Sequence, residues 1–370
     1  MPPVACFFSS SYSEAREKFL KAAESAGAHL VESYPHPLKG PDGGDLATDL
    51  AWLGPRDAKK LLVMTSSTHG IEGYCGSGCQ ISFLENRHYH RDGSPDTAVL
   101  LVHAINPHGF AHGRRVTEDN VDLNRNFVDF SEPLPENKDY EKLQDHANPK
   151  VWTPESIAKA DAAISAFYNM PNNTDFVPKA IHSGQYVNAK GTFYGGSKPT
   201  WSRRTFESIT QEWMKGATDL CLVDYHTGLG PLGFGDLYYG GSEGEGMARK
   251  WFDHVTPTLE QIEEAKKDKS KHIPGGVKGT LSRSLVKTLP GTRCTVGGIE
   301  YGTHPVREVL GSLRADNWLY AWGDPKSAQG KEIKARVREA FYPSIFEWKI
   351  MVTSRSNDVL RQALAGLARA

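Results

Sequence analysis

Apolar runs bounded by turn residues alternate along this chain with segments whose apolar residues recur at helical spacing. That alternation predicts strands interleaved with helices and a largely parallel or mixed sheet. Four runs read as strands: KLLVMTS (60–66), TAVLLVHAIN (97–106), DLCLVDYH (219–226) and TVGGIEYG (295–302). Each is rich in aliphatic or β-branched residues. Helices read most clearly at 11–28, 153–170 and 305–322. The first opens on serines and acids and closes on a glycine, the second carries Thr153 as N-cap with Pro154 at the first helical position, and the third spaces its apolar residues for one buried face. Segments 128–152 and 263–295, rich in Pro, Gly, Lys and Asp, read as surface loops, because strands fall on both sides of each.

The pattern therefore predicts an α/β fold with a central twisted mixed sheet, largely parallel, and helices on both faces. At 370 residues the length permits one large domain or two smaller ones. The expectation is a single domain over 1–370, with a motif-bearing core at about 5–325 and a helical C-terminal extension at about 326–370. There is no internal repeat and no low-complexity tract.

Composition narrows the function. Lys and Arg number 43 against 44 Asp and Glu, a net charge of −1 with no long run of one sign, so nucleic-acid and anionic-membrane partners gain no support. The mixed-charge stretch EEAKKDKSK (263–271) reads as a solvated surface. No leader-like N-terminus and no membrane-length apolar window is present, and the five cysteines are too scattered for a disulfide framework; the expectation is a soluble cytoplasmic protein. Cys75 and Cys79, four apart, suit a buried helix face better than a metal or redox pair.

The segment MTSSTHGIEGYCG places His69 and Glu72 three apart in a glycine-rich turn. With 14 His and 23 Glu in 370 residues, chance predicts about one such pair. Two occur, the other being His29 and Glu32, so spacing alone decides nothing. Position separates them. His69 and Glu72 follow the first predicted strand, Asn106 begins a polar segment after the second, His226 closes the third and Glu300 lies near the end of the fourth. In open α/β sheets ligands gather outside the carboxyl ends of strands. His29 falls at the tail of the first predicted helix and meets no partner.

Two His and one Glu give zinc three protein ligands and leave a position for water, and His69, Glu72 and His226 supply such a set. Asp224, two residues before His226, shares its strand face; it either accepts a hydrogen bond from the imidazole or caps the next turn. The segment NPHGFAHGRRVTEDNVDLNRNF (106–127) is dense in Arg and Asn, which suit bidentate carboxylate recognition and oxyanion stabilisation. Among the remaining histidines, 103, 108, 112, 182 and 304 read first as structural, and nothing in their spacing demands a second metal.

Taken in order, HGIEG, NPHGF…RR…VDLNRNF, VDYHTG and GIEYGT resemble the zinc carboxypeptidases of the carboxypeptidase A type, and are similar to the succinylglutamate desuccinylase and aspartoacylase branch; the flanking phrases look most like a poorly characterised bacterial-type branch of that superfamily. The resemblance spans about residues 5–325. It implies that one zinc ion is bound by His69, Glu72 and His226. It implies that Arg115, with Arg114 as the alternative, polarises the scissile carbonyl, that Asn124 and Arg125 hold the substrate's free carboxylate, and that Glu300 is the general base. The implied reaction is hydrolysis of an amide next to a free carboxylate through zinc-activated water. A metallocarboxypeptidase and an N-acyl amino acid deacylase are the competing enzymes, and a non-catalytic binding protein is the third possibility. The implied partner is a small molecule or peptide with a free carboxylate, and the oligomeric state is left open. Tyr194, Tyr238 and Tyr239 are candidates for a tyrosine covering the substrate, and the motif-free stretch between NRNF and VDYH is expected to shape the pocket.

Overall fold

The computed structural model describes every residue except 1–2, 169–178, 241–243, 254 and 256–276. Its centre is one sheet of seven strands: β1 (His29–Lys39), β2 (Asp45–Leu53), β3 (Lys60–Thr65), β4 (Thr97–His103), β5 (Asp219–Leu232), β6 (Gly235–Gly240) and β7 (Arg293–Gly302), in the order β1-β2-β4-β3-β5-β7-β6. The inner four, β4, β3, β5 and β7, run parallel, while β1, β2 and β6 pair antiparallel at the flanks. The predicted mixed, largely parallel sheet is thus observed, and its four inner strands are the four read from the sequence.

Residues 61–64, 98–102 and 220–223 of those strands form unbroken apolar runs because both faces are covered. Along β3, Leu62 and Met64 pack into one buried cluster with Phe19, Cys75, Cys79 and Leu360, while Leu61 and Val63 pack on the opposite face with Phe206, Ile209, Leu281 and Leu285. Helices Tyr12–Ser25, Gly73–Glu85 and Phe346–Arg369 cover the first face, and Trp201–Ile209 and Leu281–Thr288 the second. Cys75 and Cys79 are buried on one helix, as expected of small apolar groups. The C-terminal helix is part of this core: its Trp348 is fully buried and donates from Nε1 to Gly302 O at 2.8 Å.

The predicted helices appear at Tyr12–Ser25, Pro154–Tyr168 and Val306–Trp322, with residues 169–170 outside the described chain. Ser11 caps the first through Glu14 N, and Gly27 at φ +72° closes it. Several expectations are corrected. His29 opens β1 and does not end a helix. Segment 128–152 contains the helix Lys138–Ala147, whose Tyr140 is fully buried, and the described part of 263–295 contains the helix Leu281–Thr288. In both, one apolar residue per turn suffices to anchor a polar helix on the core. The stretch 263–271 lies outside the described residues.

Candidate metal centre

The HGIEG turn leaves the end of β3 and becomes a short 3-10 helix, Gly70–Glu72, immediately before the helix Gly73–Glu85. At three residues per turn, side chains three apart are eclipsed, so His69 and Glu72 emerge on one side. The glycines serve close approach and not left-handed geometry. A Cβ on Gly70 would lie 2.2 Å from the carbonyl carbon of Gly109, and one on Gly73 would lie 2.6 Å from the Phe110 ring. The segment after β4 is fastened here by Gly70 N donating to Arg115 O (2.9 Å) and Ile71 N donating to Arg114 O (2.8 Å). That contact fixes the arginine pair beside the histidine.

Three donors from two strand ends converge. His69 Nδ1 lies 3.1 Å from Glu72 Oε1 and 3.2 Å from His226 Nδ1, and His226 Nδ1 lies 3.0 Å from Glu72 Oε2. His69 and Glu72 are buried, and His226 keeps 13% of its side chain exposed. Ligands at about 2.0–2.1 Å from a tetrahedral zinc are about 3.3 Å apart, so this spacing fits a single ion after small adjustments. Among the described residues this is the one group of three or more His, Cys, Asp or Glu that converges so.

The far nitrogens of both imidazoles meet carboxylates. His226 Nε2 lies 2.8 Å from Asp224 Oδ2, and Asp224 Oδ1 accepts from the hydroxyls of Thr65 (2.7 Å) and Thr68 (2.8 Å). His69 Nε2 lies 3.2 Å from Asp122 Oδ1. The carboxylate behind His226 fixes the tautomer that leaves its Nδ1 free to ligate, whereas His69 Nε2 also lies 2.9 Å from Arg115 Nη2, a donor. Asp122 was not singled out in the sequence, although it stands in the same VDLNRN stretch as Asn124 and Arg125. It also receives Arg115 Nε at 3.2 Å and lies 3.8 Å from Arg125 Nη1.

The charges shift one another strongly. Burial pushes Glu72 upward, but His69, His226 and Arg115 overcome it and hold its carboxyl below the ordinary range. Burial lowers His226, while Asp224 and Glu72 override that and raise its pKa well above the usual imidazole value. Glu300 behaves oppositely: burial, then the nearby Glu72 charge, pushes it up to about 8. It stands on β7 in register with His226 on β5, and Leu229 N donates to its Oε1 at 3.0 Å.

The four remaining candidates separate. Arg115 points into the group, donating from Nη1 to Glu72 Oε1 at 2.9 Å. Arg114 points elsewhere, donating from Nε to Asp316 Oδ2 (2.9 Å) and from Nη2 to Asn120 Oδ1 (2.9 Å), with Tyr320 stacked over it. The offered alternative to Arg115 is therefore used in a buried ion pair. Arg125 is 3% exposed and donates to the backbone carbonyls of Asn124 (3.1 Å) and His182 (2.6 Å). Asn124 Oδ1 accepts from Leu281 N (3.0 Å), at the start of a helix on the far side of the sheet.

The motif-free stretch does wall the site. Phe193, at φ +55°, places its ring 5.4 Å from the Arg115 guanidinium and 5.8 Å from that of Arg125, and the His182 ring lies 5.4 Å from it. Burial and then the two guanidiniums lower His182 to about 3, so it is neutral. Of the candidate tyrosines, Tyr239 is buried against Phe252, Tyr194 accepts at its backbone oxygen from Asp122 N (2.7 Å), and Tyr238 is raised by burial, then by Asp236 and Glu300. His103 is a core group bonded to Ser77 Oγ (3.0 Å), and His304 pairs with Glu308 and Glu339 at 3.7 Å each.

The fold and this buried donor set describe an α/β protein with a candidate metal centre at the carboxyl ends of its parallel strands. The family model described as "Protein of unknown function (DUF2817)" matches residues 8–355, and the chain belongs to that family. Comparison with curated proteins finds no match. Similar solved structures include carboxypeptidase A from Helicoverpa armigera, at 13% identity over 91% of this chain and 75% of that one, TM-score 0.45. Bovine thrombin-activatable fibrinolysis inhibitor, solved with a tick carboxypeptidase inhibitor, is 10% identical over 97% of each chain, TM-score 0.44. A Shewanella frigidimarina protein provisionally assigned as a succinylglutamate desuccinylase/aspartoacylase is 12% identical over 74% of this chain and 64% of that one, TM-score 0.38. Among the described residues no helix is long and apolar enough to cross a membrane.

Proposed function

We propose that this protein is a zinc-dependent hydrolase that cleaves an amide bond adjacent to a free carboxylate. The observation that carries the reading is the convergence of His69, Glu72 and His226 at 3.0–3.2 Å, with Glu300 in register beside His226. Zinc, when bound, lowers the pKa of water and polarises a carbonyl oxygen. His69, Glu72 and His226 hold it, and Asp122 and Asp224 orient the two rings. Glu300 takes the proton of the attacking water and passes it to the leaving amine, a role suited to a carboxylate tuned upward by burial. Arg115 stabilises the oxyanion that forms on the substrate carbonyl. Asn124 and Arg125 are assigned to the substrate carboxylate; Arg125 is covered by the His182 backbone, so recognition there requires that segment to yield.

Two substrates fit this chemistry, a peptide with a free C-terminus and an N-acyl amino acid. The burial of both Arg115 and Arg125 beneath Phe193 favours the smaller, the N-acyl amino acid, as a second reading. The test is to load purified protein with zinc and compare C-terminally free peptides, the same peptides amidated, and N-acyl amino acids. Hydrolysis confined to substrates with a free carboxylate is expected. Equal turnover of amidated peptides would overturn the reading.

A further inference from the structure

One helix end meets all three segments of the candidate metal centre. The helix Ala328–Phe341 stops at Tyr342, whose N donates to Arg338 O at 2.7 Å. The carbonyls of Ala340 and Phe341 lie beyond that last hydrogen bond and need partners from outside the helix. Two threonines at strand ends supply them. Thr227 Oγ1 donates to Phe341 O at 2.7 Å, and Thr303 Oγ1 donates to Ala340 O at 2.7 Å. Thr227 follows His226 directly on β5, and Thr303 stands three residues after Glu300, just past β7. The third segment arrives through Tyr74, two residues after Glu72, whose ring stacks on Tyr342 with centroids 5.0 Å apart and planes inclined by 21°.

These contacts fall where the sheet stops holding its own ends. β5 and β7 pair in register from Asp219–Arg293 to Thr227–Tyr301, and the next pair, Leu232–Gly302, is displaced. Beyond Thr227 the ladder therefore no longer fixes one strand against the other. Thr227 is also tied to a second metal donor, because its N donates to Glu72 Oε2 at 3.2 Å. Both threonines are buried, as are Ala340 and Phe341, so water does not compete for the two hydroxyl hydrogen bonds.

We infer that Thr227 and Thr303 are positioning residues that act through the end of this helix: Thr227 sets Glu72 and His226 for the metal, and Thr303 sets Glu300 for the reaction. The inference rests on the reading of the centre as a zinc-dependent hydrolase. Valine at either position keeps the shape of threonine, loses the donor and leaves a buried carbonyl unpaired. Loosening at Thr227 spreads the metal donors. Loosening at Thr303 leaves them in place and moves the base.

The test measures zinc affinity by chelator competition, together with kcat and KM on a substrate that the zinc-loaded wild type hydrolyses, in Thr227→Val, Thr227→Ser, Thr303→Val and Thr303→Ser. Val337→Ala is the control, because Val337 is fully buried in the same helix and makes neither hydrogen bond. Thr227→Val is expected to weaken zinc binding roughly 10–100-fold, the scale of losing a group that orients a ligand. Thr303→Val is expected to lower kcat by roughly 10–100-fold with KM and zinc affinity unchanged, the scale of a slight misplacement of a reacting group. Serine restores both, and Val337→Ala lowers thermal stability while keeping wild-type zinc affinity and kcat. Wild-type zinc affinity in Thr227→Val, wild-type kcat in Thr303→Val, failure of serine to restore either, or an equal loss in Val337→Ala overturns the proposal. If the zinc-loaded wild type hydrolyses nothing, the proposed activity fails and the Thr227 zinc comparison decides the clamp alone: weakening of tenfold or more, restored by serine, supports it, and unchanged affinity overturns it.

Discussion

His226 on β5 and Glu300 on β7 are register partners on adjacent parallel strands, so a candidate ligand and a candidate base are fixed side by side by backbone hydrogen bonds and not by a flexible loop. In metal-free protein the burial of Glu300 near Glu72 has a cost that pH reveals. The Glu300 pKa is raised to about 8 in the folded state against about 4.3 unfolded. A raised carboxyl favours folding below the unfolded value, and that contribution is lost as pH rises through the folded value. Between about pH 4.5 and 8, metal-free wild type is therefore expected to lose stability relative to Glu300→Gln, measured by urea unfolding at fixed pH. The two should converge near pH 4, and a constant difference across the range would contradict the buried, raised carboxyl.

Asp122 and Asp224 sit behind the two imidazoles at 3.2 and 2.8 Å. Converting either to Asn removes the carboxylate that holds the ring in place, and metal affinity is expected to fall roughly 10–100-fold. Competition with a zinc chelator reads this directly. An unchanged dissociation constant in both variants would mean that the carboxylates do not orient ligating rings.

Gly70 accepts no side chain, because a Cβ there would lie 2.2 Å from the Gly109 backbone. Gly70→Ala must push the 106–117 segment off the HGIEG turn. Overpacking of this kind costs about 1–3 kcal/mol. Reduced thermal stability together with weakened zinc binding is expected, because the same contact aligns His69 and Arg115; full stability and affinity would show that the segment adjusts freely.

Arg115 is predicted to act on the transition state. Arg115→Ala should lower kcat by roughly 10²–10³ while zinc content stays at the wild-type level, the scale of losing one oxyanion donor. Arg114→Ala instead leaves Asp316 buried beside Lys334 alone, and is expected to lower stability. If the two variants exchanged these phenotypes, the assignment of the pair would be reversed.

The inner sheet was legible because β3, β4 and β5 are buried on both faces and each carries an unbroken apolar run, at residues 61–64, 98–102 and 220–223, while β7 pairs in register beside β5. The flanks were not. β1 carries Pro35 and Pro37, which speak against a strand unless it lies at a sheet edge, where the structure places it. Helix Gly73–Glu85 holds Gly73, Gly76 and Gly78, poor helix formers that are kept by burial. In the site, His69, Glu72 and His226 were legible from their places at strand ends, while Asp122 was hidden because an Asp before a short helix also reads as a cap. It is one: its side chain accepts from Asn124 N at 3.0 Å. Which arginine of the Arg114–Arg115 pair faces the metal group depends on Asp316, 202 residues further on, and local sequence could not carry that. The role of Phe193 was equally out of reach, since a lone aromatic in a motif-free stretch reads as core.

The central claim is that His69, Glu72 and His226 form one metal site. Elemental analysis of zinc-loaded, desalted protein tests it most directly, on wild type and on Glu72→Ala. One zinc per chain in wild type, lost or weakened by orders of magnitude in Glu72→Ala, is the predicted result. Wild-type protein that retains no metal, or a Glu72→Ala variant that binds zinc as tightly as wild type, would contradict it.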